Sequence, residues 1–597
     1  MNNPTMPTAS VTTVSRRSLV TCSVAAALAG AAALSGANAG RSGRVALAAE
    51  SDGARTYAAT EPSMKGDITV FTTIEDGKVT SVSVIDDVDT PVIRDAAIAD
   101  VPQRIVDQQN VEVDATAGAT MTSLAIVSGV SDAIEAAGLS LSDFQKGTDA
   151  VETGAKESAD DQAYDLVVVG GGMAGMSAAI YAARQDESLK ILVLDKEAYV
   201  GGSTRVCGGG IWSMGAEVNK IIGQDCSAQD YISFLTEWSA PAQLNTDLLQ
   251  QIHDISADTF NYLYDWGFPV MANGWSLGNP KAQLACLWST AGQASDWETG
   301  NSGVADFMAV RAGKLGVEVR TNSAATELLV EDGKVTGVRV EDLTSVYQVK
   351  AKRVILATGG FTRNADLIEQ YAPDYADAFA FTGAGSTGDG ITMTLAADLG
   401  AQVVGEGMMG LFGINPSLGY YGPYGNTAWH TAITVNAEGE LFGMEDAFYG
   451  RTLKLLLDQT GACGYGIVDA STDIPERMEQ TVSAGYATRY ETLDDLASDK
   501  GIDADALKKT CADNGVSEAP FYCVVKKPLF IGSIPGLKVD EGCRVLGSDD
   551  QPIEGLCAAG ELIFGNVFGT AYPCSGTGVG TSCYTGAIAA RTSVSEM

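Results

Sequence analysis

The chain has 597 residues, of which 45% are hydrophobic and 19% are charged, and this composition excludes a disordered or low-complexity protein. At roughly 150 residues per domain, this length allows about four folded units. The 38 Lys and Arg residues and the 75 Asp and Glu residues give a net charge of −37, which argues against nucleic acid or an anionic membrane surface as a partner. The 11 cysteines form no Cys-x-x-Cys pair and there are only two histidines, so the sequence predicts no metal site.

The N-terminal sequence predicts an export signal. Arg16-Arg17 precedes an Ala-rich apolar run at residues 24–39, and this arrangement resembles a twin-arginine signal peptide. An ordinary secretory signal or a weak anchor is the alternative. The expected cleavage site is Ala37-Asn38-Ala39 or Ala46-Leu47-Ala48, so residues 1–48 are assigned to the signal. The prediction is an exported protein, periplasmic or at the cell surface, that acquires its cofactors before export.

A first folded unit is predicted at residues 52–142. Residues 67–74 and 79–85 alternate apolar and polar side chains on either side of a turn at 75–78, which is typical of a β-hairpin. A helix is predicted at residues 93–109. A second helix follows the segment DATAGATMTS and ends near Ala137.

This order of elements and the segment DATAGATMTS closely resemble the FMN-binding domain family. In that family the threonine of the Gly-Ala-Thr step carries FMN through a phosphoester bond, which implies covalent FMN at Thr120 and a flavin transferase as a partner. Asp114 is then the acidic residue of the motif, and the small residues Gly118 and Ala119 leave room for the transferase. The alternative is a threonine-rich turn at the start of a helix. Residues 143–162 are polar and are predicted to be a linker.

A dinucleotide-binding fold is predicted after the linker. A buried strand at 164–169 runs into the glycine segment GGGMAG at 170–175, a helix follows at 176–185, and a second strand ends in Asp195. Gly170 makes the tight turn, Gly172 lets the pyrophosphate approach the backbone, and Gly175 packs the helix on the strand. The helix N-terminus faces the phosphates, and Asp195 is expected to bind the ribose hydroxyls.

Further segments indicate that the dinucleotide is FAD. GGST at 201–204, CGGGIW at 207–212, KRVILATGG at 352–360, TGDG at 387–390 and LCAAGE at 556–561 follow in this order. The succession resembles the fumarate reductase/ketosteroid dehydrogenase flavoprotein family over residues 163–597. The residues that the resemblance implies in non-covalent FAD binding are Gly170, Gly172, Ala174, Gly175, Asp195, Ser203, Thr204, Gly209, Gly210, Ala325, Asp389 and Glu561.

The two resemblances together imply an α/β protein. A small α+β FMN-binding domain is followed by a Rossmann-like FAD-binding domain, and an α+β cap domain that binds substrate is inserted into the latter. The expected bounds are 163–405 and 518–597 for the two parts of the FAD-binding domain and 406–517 for the cap. The chain is expected to return to the FAD-binding domain near Phe521.

The active site resembles one branch of this family. Fumarate reductases of this type hold a dicarboxylate with two arginines, but here the position seven residues beyond Phe442 is Tyr449 and the second arginine position is Tyr572. Phenols offer a dicarboxylate no charge pairing. The ketosteroid dehydrogenase branch has a tyrosine at the first position and a Tyr-Pro-x-x-Gly motif, which residues 572–576 match. A third tyrosine of that branch has no clear counterpart here.

These residues predict an FAD-dependent oxidoreductase that acts on CH–CH groups, specifically a reductase of α,β-unsaturated carbonyl compounds such as a steroid-like enone. The Tyr572 hydroxyl and the Gly576 N–H are expected to hold the carbonyl oxygen as it becomes an enolate, while Tyr449 protonates the α-carbon and reduced FAD gives hydride to the β-carbon. Electrons are expected to arrive through FMN from a membrane or extracytoplasmic donor, as in anaerobic respiration. The alternatives are a ketosteroid-type dehydrogenase in the oxidising direction, a reductase of another unsaturated acid, and a non-catalytic electron carrier.

Overall fold

The computed structural model describes residues 45–51, 53–63, 67–86, 89, 93–113, 116, 119–144, 157–207, 209–223, 225–268, 275–276, 285–288, 304–380, 382–383, 385–414, 431–444, 450–474, 478–483, 485–574 and 576–597. These residues fall into two units, one ending with the short helical turn Leu141–Phe144 and the other starting at Glu157. In this part of the chain, no helix is long and apolar enough to cross a membrane. Residues 1–44 of the predicted signal lie outside the described residues.

The first unit is a four-stranded antiparallel sheet with two helices. Its elements are β1 Val45–Ser51, β2 Ala54–Pro62, β3 Asp67–Glu75, β4 Lys78–Ile85, α1 Ile93–Gln108 and α2 Thr120–Ala136. The strands lie in the order β1-β2-β3-β4. The predicted hairpin is therefore confirmed as β3 and β4, which a two-residue Asp76-Gly77 turn connects.

Helix α2 covers one face of this sheet. Alternate residues of β3, among them Ile68 and Val70, are buried, as the period of two in the sequence requires. The helix packs against β2 and β3, and a Cβ added at Gly129 of α2 would lie 2.8 Å from the Val70 Cβ. The sequence did not predict β1. This strand crosses residue 48, the predicted end of the signal, and pairs with β2 along its length.

The second unit contains all the remaining elements. Its strands are β5 Glu157–Ser158, β6 Gln162–Val169, β7 Ile191–Leu194, β8 Gly210–Ser213, β9 Trp275–Ser276, β10 Ala285–Trp288, β11 Glu318–Arg320, β12 Ala324–Glu331, β13 Lys334–Glu341, β14 Ser345–Leu356, β15 Phe379–Ala380, β16 Val403–Val404, β17 Met408–Gly413, β18 Ile433–Val435, β19 Gly464–Asp469, β20 Ala487–Tyr490, β21 Phe521–Ser533, β22 Gly536–Leu537, β23 Arg544–Leu546 and β24 Pro552–Ala558. Its helices are α3 Met173–Gln185, α4 Ser203–Val206, α5 Glu217–Ile222, α6 Ala228–Ser239, α7 Thr246–Asp265, α8 Val304–Lys314, α9 Ala365–Tyr371, α10 Asp389–Ala396, α11 Gly450–Leu457, α12 Met478–Ser483, α13 Leu493–Lys500, α14 Ala504–Asp513 and α15 Thr577–Ser595. Short 3₁₀ turns are present at Pro373–Tyr375 and Gly560–Asn566.

A nine-stranded sheet forms the centre of this unit. Strands β11, β7, β6 and β14 are parallel neighbours, β24 pairs with β14, and β13 and β12 continue the sheet in antiparallel fashion. All four residues of β7 are buried, as expected for a parallel strand that is covered on both faces. Helices α3 and α15 pack against each other. The predicted Rossmann-like architecture is confirmed.

A second, six-stranded sheet contains β15, β17, β18, β19, β20 and β21. It has apolar clusters of its own, formed around residues such as Ile467 and Tyr522. The long strand β21 pairs with four other strands of this sheet. Because β21 spans Phe521–Ser533, this sheet extends past residue 517, the expected end of the cap. Similarly, Glu157–Ser158 at the end of the predicted linker pairs with β14.

Candidate active site

A tight glycine turn connects β6 to α3. Gly170 has a φ of +106°, and a Cβ there would lie 2.2 Å from the Ala357 carbonyl oxygen. A Cβ at Gly175 would lie 1.8 Å from the Gly170 carbonyl oxygen. Since both contacts are with backbone, only glycine fits at either position. Gly172, in contrast, has no protein atom within 3.6 Å of an added Cβ, because the nearest is the Gly201 carbonyl oxygen at 3.7 Å.

Asp195 follows β7 and holds the glycine turn. One of its carboxylate oxygens accepts from the Gly171 N–H at 2.9 Å, and the other accepts from the Glu197 N–H at 2.9 Å. The carboxyl is buried, and this burial raises its pKa. Asp195 therefore fixes the backbone around the ligand site in addition to the ribose role that its position predicts.

A cavity that is partly open to solvent lies beside this turn. Its wall contains the predicted residues Gly170, Gly172, Ala174, Asp195, Ser203, Thr204, Ala325, Asp389 and Glu561. Three of the predicted residues are not part of the wall. Gly175 lies behind the turn, Gly209 precedes β8, and Gly210 is the first residue of β8.

The polar lining of the cavity suits a ligand rich in hydroxyl and phosphate groups. Two buried oxygens in the wall, Thr358 Oγ1 and Glu197 Oε2, have no hydrogen-bond partner among the described residues. Lys196 donates to Asp389 at 2.7 Å and to Thr387, which joins the end of β7 to the start of α10. Together with the glycine turn at a helix N-terminus, these groups fit FAD, for which the wall residues would provide the contacts.

Glu561 is another carboxylic acid in the same wall whose pKa is shifted. It accepts from the backbone N–H of Ser533 at 2.7 Å and from the Ser533 hydroxyl at 3.1 Å. Burial nevertheless raises its pKa to about 7, because these two donors only partly offset the loss of water. Lys196, Glu197 and Thr358 were not predicted from the sequence. The first two directly follow Asp195, and Thr358 lies in the ATGG segment, so proximity to a motif was the available signal.

Tyr572 is buried near the start of α15. Its ring packs edge-on against Phe568 at 5.8 Å between centroids, and its hydroxyl accepts from the Gly578 N–H at 3.4 Å. Its backbone carbonyl accepts from the Gly450 N–H at 3.3 Å. Tyr449 lies outside the described residues, but it immediately precedes Gly450. The contact between Gly450 and Tyr572 therefore joins the two chain segments that contain the predicted catalytic tyrosines.

Gly576 caps helix α15 with a φ of +85°. Its carbonyl accepts from the N–H groups of Trp212 at 3.3 Å and Gly580 at 2.9 Å. Its own N–H has no acceptor in the described part of the chain. An N–H group of this kind at a helix N-terminus can bind an anionic oxygen.

In the first unit, side chains of the DATAGATMTS segment hold the start of α2. The Ser123 hydroxyl accepts from the Thr116 N–H at 3.1 Å, and the Thr122 hydroxyl donates to buried Asp89 at 2.7 Å. Thr120 is the first residue of the helix, and Ala119 before it provides no side-chain cap. Uncapped first-turn N–H groups suit a phosphate, so this terminus fits the phosphoester of FMN. Asp114 and Gly118 lie outside the described residues.

The fold and the cavity define the class of protein: a flavin-dependent oxidoreductase with a Rossmann-like core and a separate N-terminal unit. The model of the FAD-binding domain family matches residues 165–579, and the model of the FMN-binding domain family matches residues 64–135. The chain belongs to the FAD-binding domain family and carries an FMN-binding domain in front of it.

Several characterised reductases are similar in sequence. A urocanate reductase from Eggerthella lenta is 27% identical over 587 residues, which cover 92% of this chain and 94% of the relative. A vinyl phenol reductase from Lactiplantibacillus plantarum is 28% identical and covers 71% of this chain and 94% of its own length. An NADH:acrylate oxidoreductase from Vibrio harveyi is 27% identical over 85% of this chain, which spans 58% of that longer protein.

Two solved structures share the fold. The open conformation of a flavocytochrome c3 fumarate reductase matches with a TM-score of 0.60 and 22% identity, over 73% of this chain and 78% of its own. A 3-ketosteroid-Δ4-(5α)-dehydrogenase from Rhodococcus jostii RHA1 matches with a TM-score of 0.59 and 23% identity, over 74% and 99%. At these identities the likeness supports the fold alone.

Proposed function

We propose that the protein reduces a carbon–carbon double bond conjugated to a carbonyl group. The observation that carries this proposal is the position of Tyr572 beside Gly450 and close in sequence to Gly576, whose N–H has no acceptor among the described residues. Relatives named urocanate reductase, NADH:acrylate oxidoreductase and vinyl phenol reductase support a reaction at a C=C bond, since each of these substrates contains one.

Each residue has a separate task in this reaction. The Tyr572 hydroxyl and the Gly576 N–H donate to the carbonyl oxygen, and both bonds strengthen as negative charge develops there. Tyr449 is the general acid that protonates the α-carbon. FAD, when bound, supplies the hydride for the β-carbon. The site offers phenols instead of guanidinium groups at these two positions, so we propose a carbonyl oxygen as the anchored atom, as in an enone.

A second candidate is the reduction of an unsaturated acid, and one observation favours it. Arg451 follows Gly450, and its guanidinium lies 4.5 Å from the centroid of the Trp238 ring. No carboxylate pairs with this arginine in the described part of the chain, although acidic residues outnumber basic ones in the sequence. A guanidinium without a carboxylate partner among the described residues, on the helix that starts at Gly450, is a suitable partner for a substrate carboxylate.

One substrate screen separates the candidates. Purified protein with both flavins is reduced anaerobically by reduced viologen and is then offered neutral enones, the matching enones with an added carboxylate, acrylate and fumarate. The enone proposal expects the highest turnover with an enone and negligible turnover with fumarate. Fumarate turnover equal to that with the best enone contradicts it. Oxidation of saturated ketones with an artificial acceptor tests the alternative of a ketosteroid-type dehydrogenase.

The Arg451 alternative has its own test. Arg451→Met should lower the ratio of turnover with the carboxylated enone to turnover with the neutral enone by about tenfold, since an ionic hydrogen bond contributes about 1.5–3 kcal/mol. Lys454→Met is the matched control, because Lys454 lies on the same helix and already pairs with Asp458. An unchanged ratio in Arg451→Met argues against a carboxylate contact at this position.

The roles of the two tyrosines are tested by stopped-flow reoxidation of the reduced protein with an active enone. Tyr572→Phe should slow reoxidation by roughly 10²-fold to 10³-fold and weaken enone binding, because one of two donors is lost. Tyr449→Phe should slow it by roughly 10²-fold to 10⁴-fold with little change in binding. Tyr347→Phe is the control. Tyr347 lies near the start of β14, is not part of the cavity wall, and its hydroxyl contacts Arg320 at 3.5 Å. Wild-type rates in both site variants contradict the assignment.

The electron supply and the location are part of the same proposal. We propose that electrons reach FAD from FMN attached to Thr120 by a flavin transferase, and that the donor is a membrane or extracytoplasmic protein. The sequence pattern Arg16-Arg17 before an Ala-rich run supports export by the twin-arginine route. Replacement of both arginines by lysine should leave the protein inside the cell, whereas continued export of that variant contradicts this route.

A further inference from the structure

Glu197 lies in the wall of the FAD cavity although it belongs to none of the nucleotide-binding motifs. It follows Asp195 and Lys196 at the end of β7, and only 7% of its surface is exposed. Its backbone is fixed on both sides, because its N–H donates to the Asp195 carboxylate at 2.9 Å and its carbonyl accepts from the Asn322 N–H at 2.8 Å. The side chain therefore projects from a rigid segment.

One oxygen of the Glu197 carboxyl has no donor in the part of the chain that the structure describes. Its Oε2 atom is buried and has no hydrogen-bond partner among the described residues. The nearby cations are engaged elsewhere: Lys196 donates to Asp389 at 2.7 Å, and Arg363 donates to the Thr382 and Gly383 carbonyls at 2.9 Å and 3.2 Å. Burial consequently raises the pKa of Glu197. A buried carboxylate of this kind is costly unless a ligand provides the missing donor.

The chemistry of the carboxylate limits which part of FAD it can contact. An ionised carboxylate only accepts hydrogen bonds, which excludes the pyrophosphate. The glycine turn and the acid at the end of the second strand identify this end of the cavity with the adenosine half of a dinucleotide. The donors of that half are the adenine amino group and the ribose hydroxyls. Asp195 already accepts one backbone N–H on each of its oxygens, whereas Glu197 Oε2 accepts none from any residue that the structure describes.

We propose that Glu197 is an adenosine-recognition residue of the FAD site and accepts a hydrogen bond from the adenine amino group or a ribose hydroxyl. This contact supplies the donor that the buried oxygen lacks. It also adds selectivity for FAD over FMN, because FMN has no adenosine. The proposal concerns only the binding of FAD and is independent of which substrate the enzyme reduces.

Flavin binding to the apo-protein tests the proposal without any measurement of activity. Quenching of flavin fluorescence gives the dissociation constants of FAD and FMN for the wild-type protein, Glu197→Gln and Glu197→Ala. Glu197→Ala should weaken FAD binding by roughly 10-fold to 100-fold, as expected for loss of a hydrogen bond to a charged group. Glu197→Gln keeps the shape and one acceptor oxygen, and should weaken it by about threefold to tenfold. FMN should bind equally to all three proteins.

Two controls make the result specific. Glu554→Gln changes an exposed glutamate that pairs with Lys334 at 2.6 Å, and FAD binding should not change. The hypoxanthine analogue of FAD lacks the adenine amino group. If the wild-type protein binds this analogue more weakly than FAD, and Glu197→Ala binds both equally, the contact is with the amino group. If the wild-type protein binds both equally, the contact is with a ribose hydroxyl.

The proposal is overturned if both Glu197 variants bind FAD within about twofold of the wild-type protein or more tightly. It is also overturned if FAD and FMN binding weaken by the same factor. Should Glu197→Ala fail to fold, thermal unfolding of the apo-protein will show this, and the near-isosteric Glu197→Gln decides the outcome alone.

Discussion

Replacement of Gly172 by alanine should lower the affinity for FAD with little effect on the stability of the apo-protein. Gly172 has φ −76° and ψ −171°, which alanine adopts without strain. The added methyl group has no protein atom nearer than the Gly201 carbonyl oxygen at 3.7 Å and Thr204 Oγ1 at 3.9 Å. The apo-protein therefore has room for it. The methyl group does, however, occupy the place where the pyrophosphate must approach the backbone.

The two effects differ in size. For the apo-protein, the lower entropy of the unfolded chain favours alanine by about 0.4–1 kcal/mol, while alanine is a poorer N-cap than glycine. We therefore expect the stability of the apo-protein to change by less than about 1 kcal/mol. Crowding at a close-packed contact costs about 1–3 kcal/mol, so FAD affinity should fall by roughly 10-fold to 100-fold.

Urea unfolding of the apo-protein and a fluorescence titration with FAD measure the two quantities. Gly175→Ala is the contrasting variant, because its methyl group would lie 1.8 Å from the Gly170 carbonyl oxygen and should destabilise the apo-protein itself. Wild-type FAD affinity in Gly172→Ala would refute the placement of the pyrophosphate at this turn. A large loss of apo-protein stability in Gly172→Ala would show that the apo-protein has no room for the added methyl group.

Three further predictions concern other parts of the chain. Thr120→Val should abolish covalent flavin, read by mass spectrometry and by fluorescence of the denatured protein, while FAD still binds; retained covalent flavin contradicts the assignment. Burial raises the pKa of Glu561 to about 7, so the folded apo-protein binds this proton more tightly than the unfolded chain does between about pH 4.5 and 7. The free energy of unfolding of the apo-protein should therefore fall as the pH rises through that range. Glu561→Gln should remove up to about 3 kcal/mol of this fall, as measured by urea unfolding at pH 5 and pH 8. Gly450→Ala places a Cβ 2.8 Å from the backbone N and O atoms of Tyr572, so turnover should fall by roughly 100-fold with FAD affinity unchanged; normal turnover contradicts the importance of this contact.

The elements that depend on local sequence were predictable. The hairpin of β3 and β4 follows from alternation around Asp76-Gly77, and the turn at Gly170 follows from the strand, the glycines and the helix that adjoin it. The strands β1 and β2 were missed, because their many alanines have low β propensity and only pairing with β3 makes them strands.

The cavity wall was predictable only in part, because some of its contacts join residues far apart in sequence. Lys196 meets Asp389, and Ser533 meets Glu561, and no pattern within either segment indicates its partner. Glu197 is a similar case, since its importance follows from burial and from an oxygen without a donor. Sequence motifs identify groups that every member of a fold must place alike, whereas burial depends on the packing of this particular chain.

The contact between Gly450 and Tyr572 suggests how the side chains at the two tyrosine positions can differ without a change of the backbone. It is a hydrogen bond between backbone atoms, so it does not depend on the side chain at position 572 or at the position before Gly450. Arginine at those two positions would present guanidinium groups suited to carboxylates, and tyrosine presents phenols suited to a carbonyl oxygen. Because a backbone hydrogen bond does not require a particular side chain, we expect such a substitution to change the recognised group without moving the chain at these positions. We therefore expect the side chains at these two positions, and not the shared fold alone, to determine which group of the substrate is recognised.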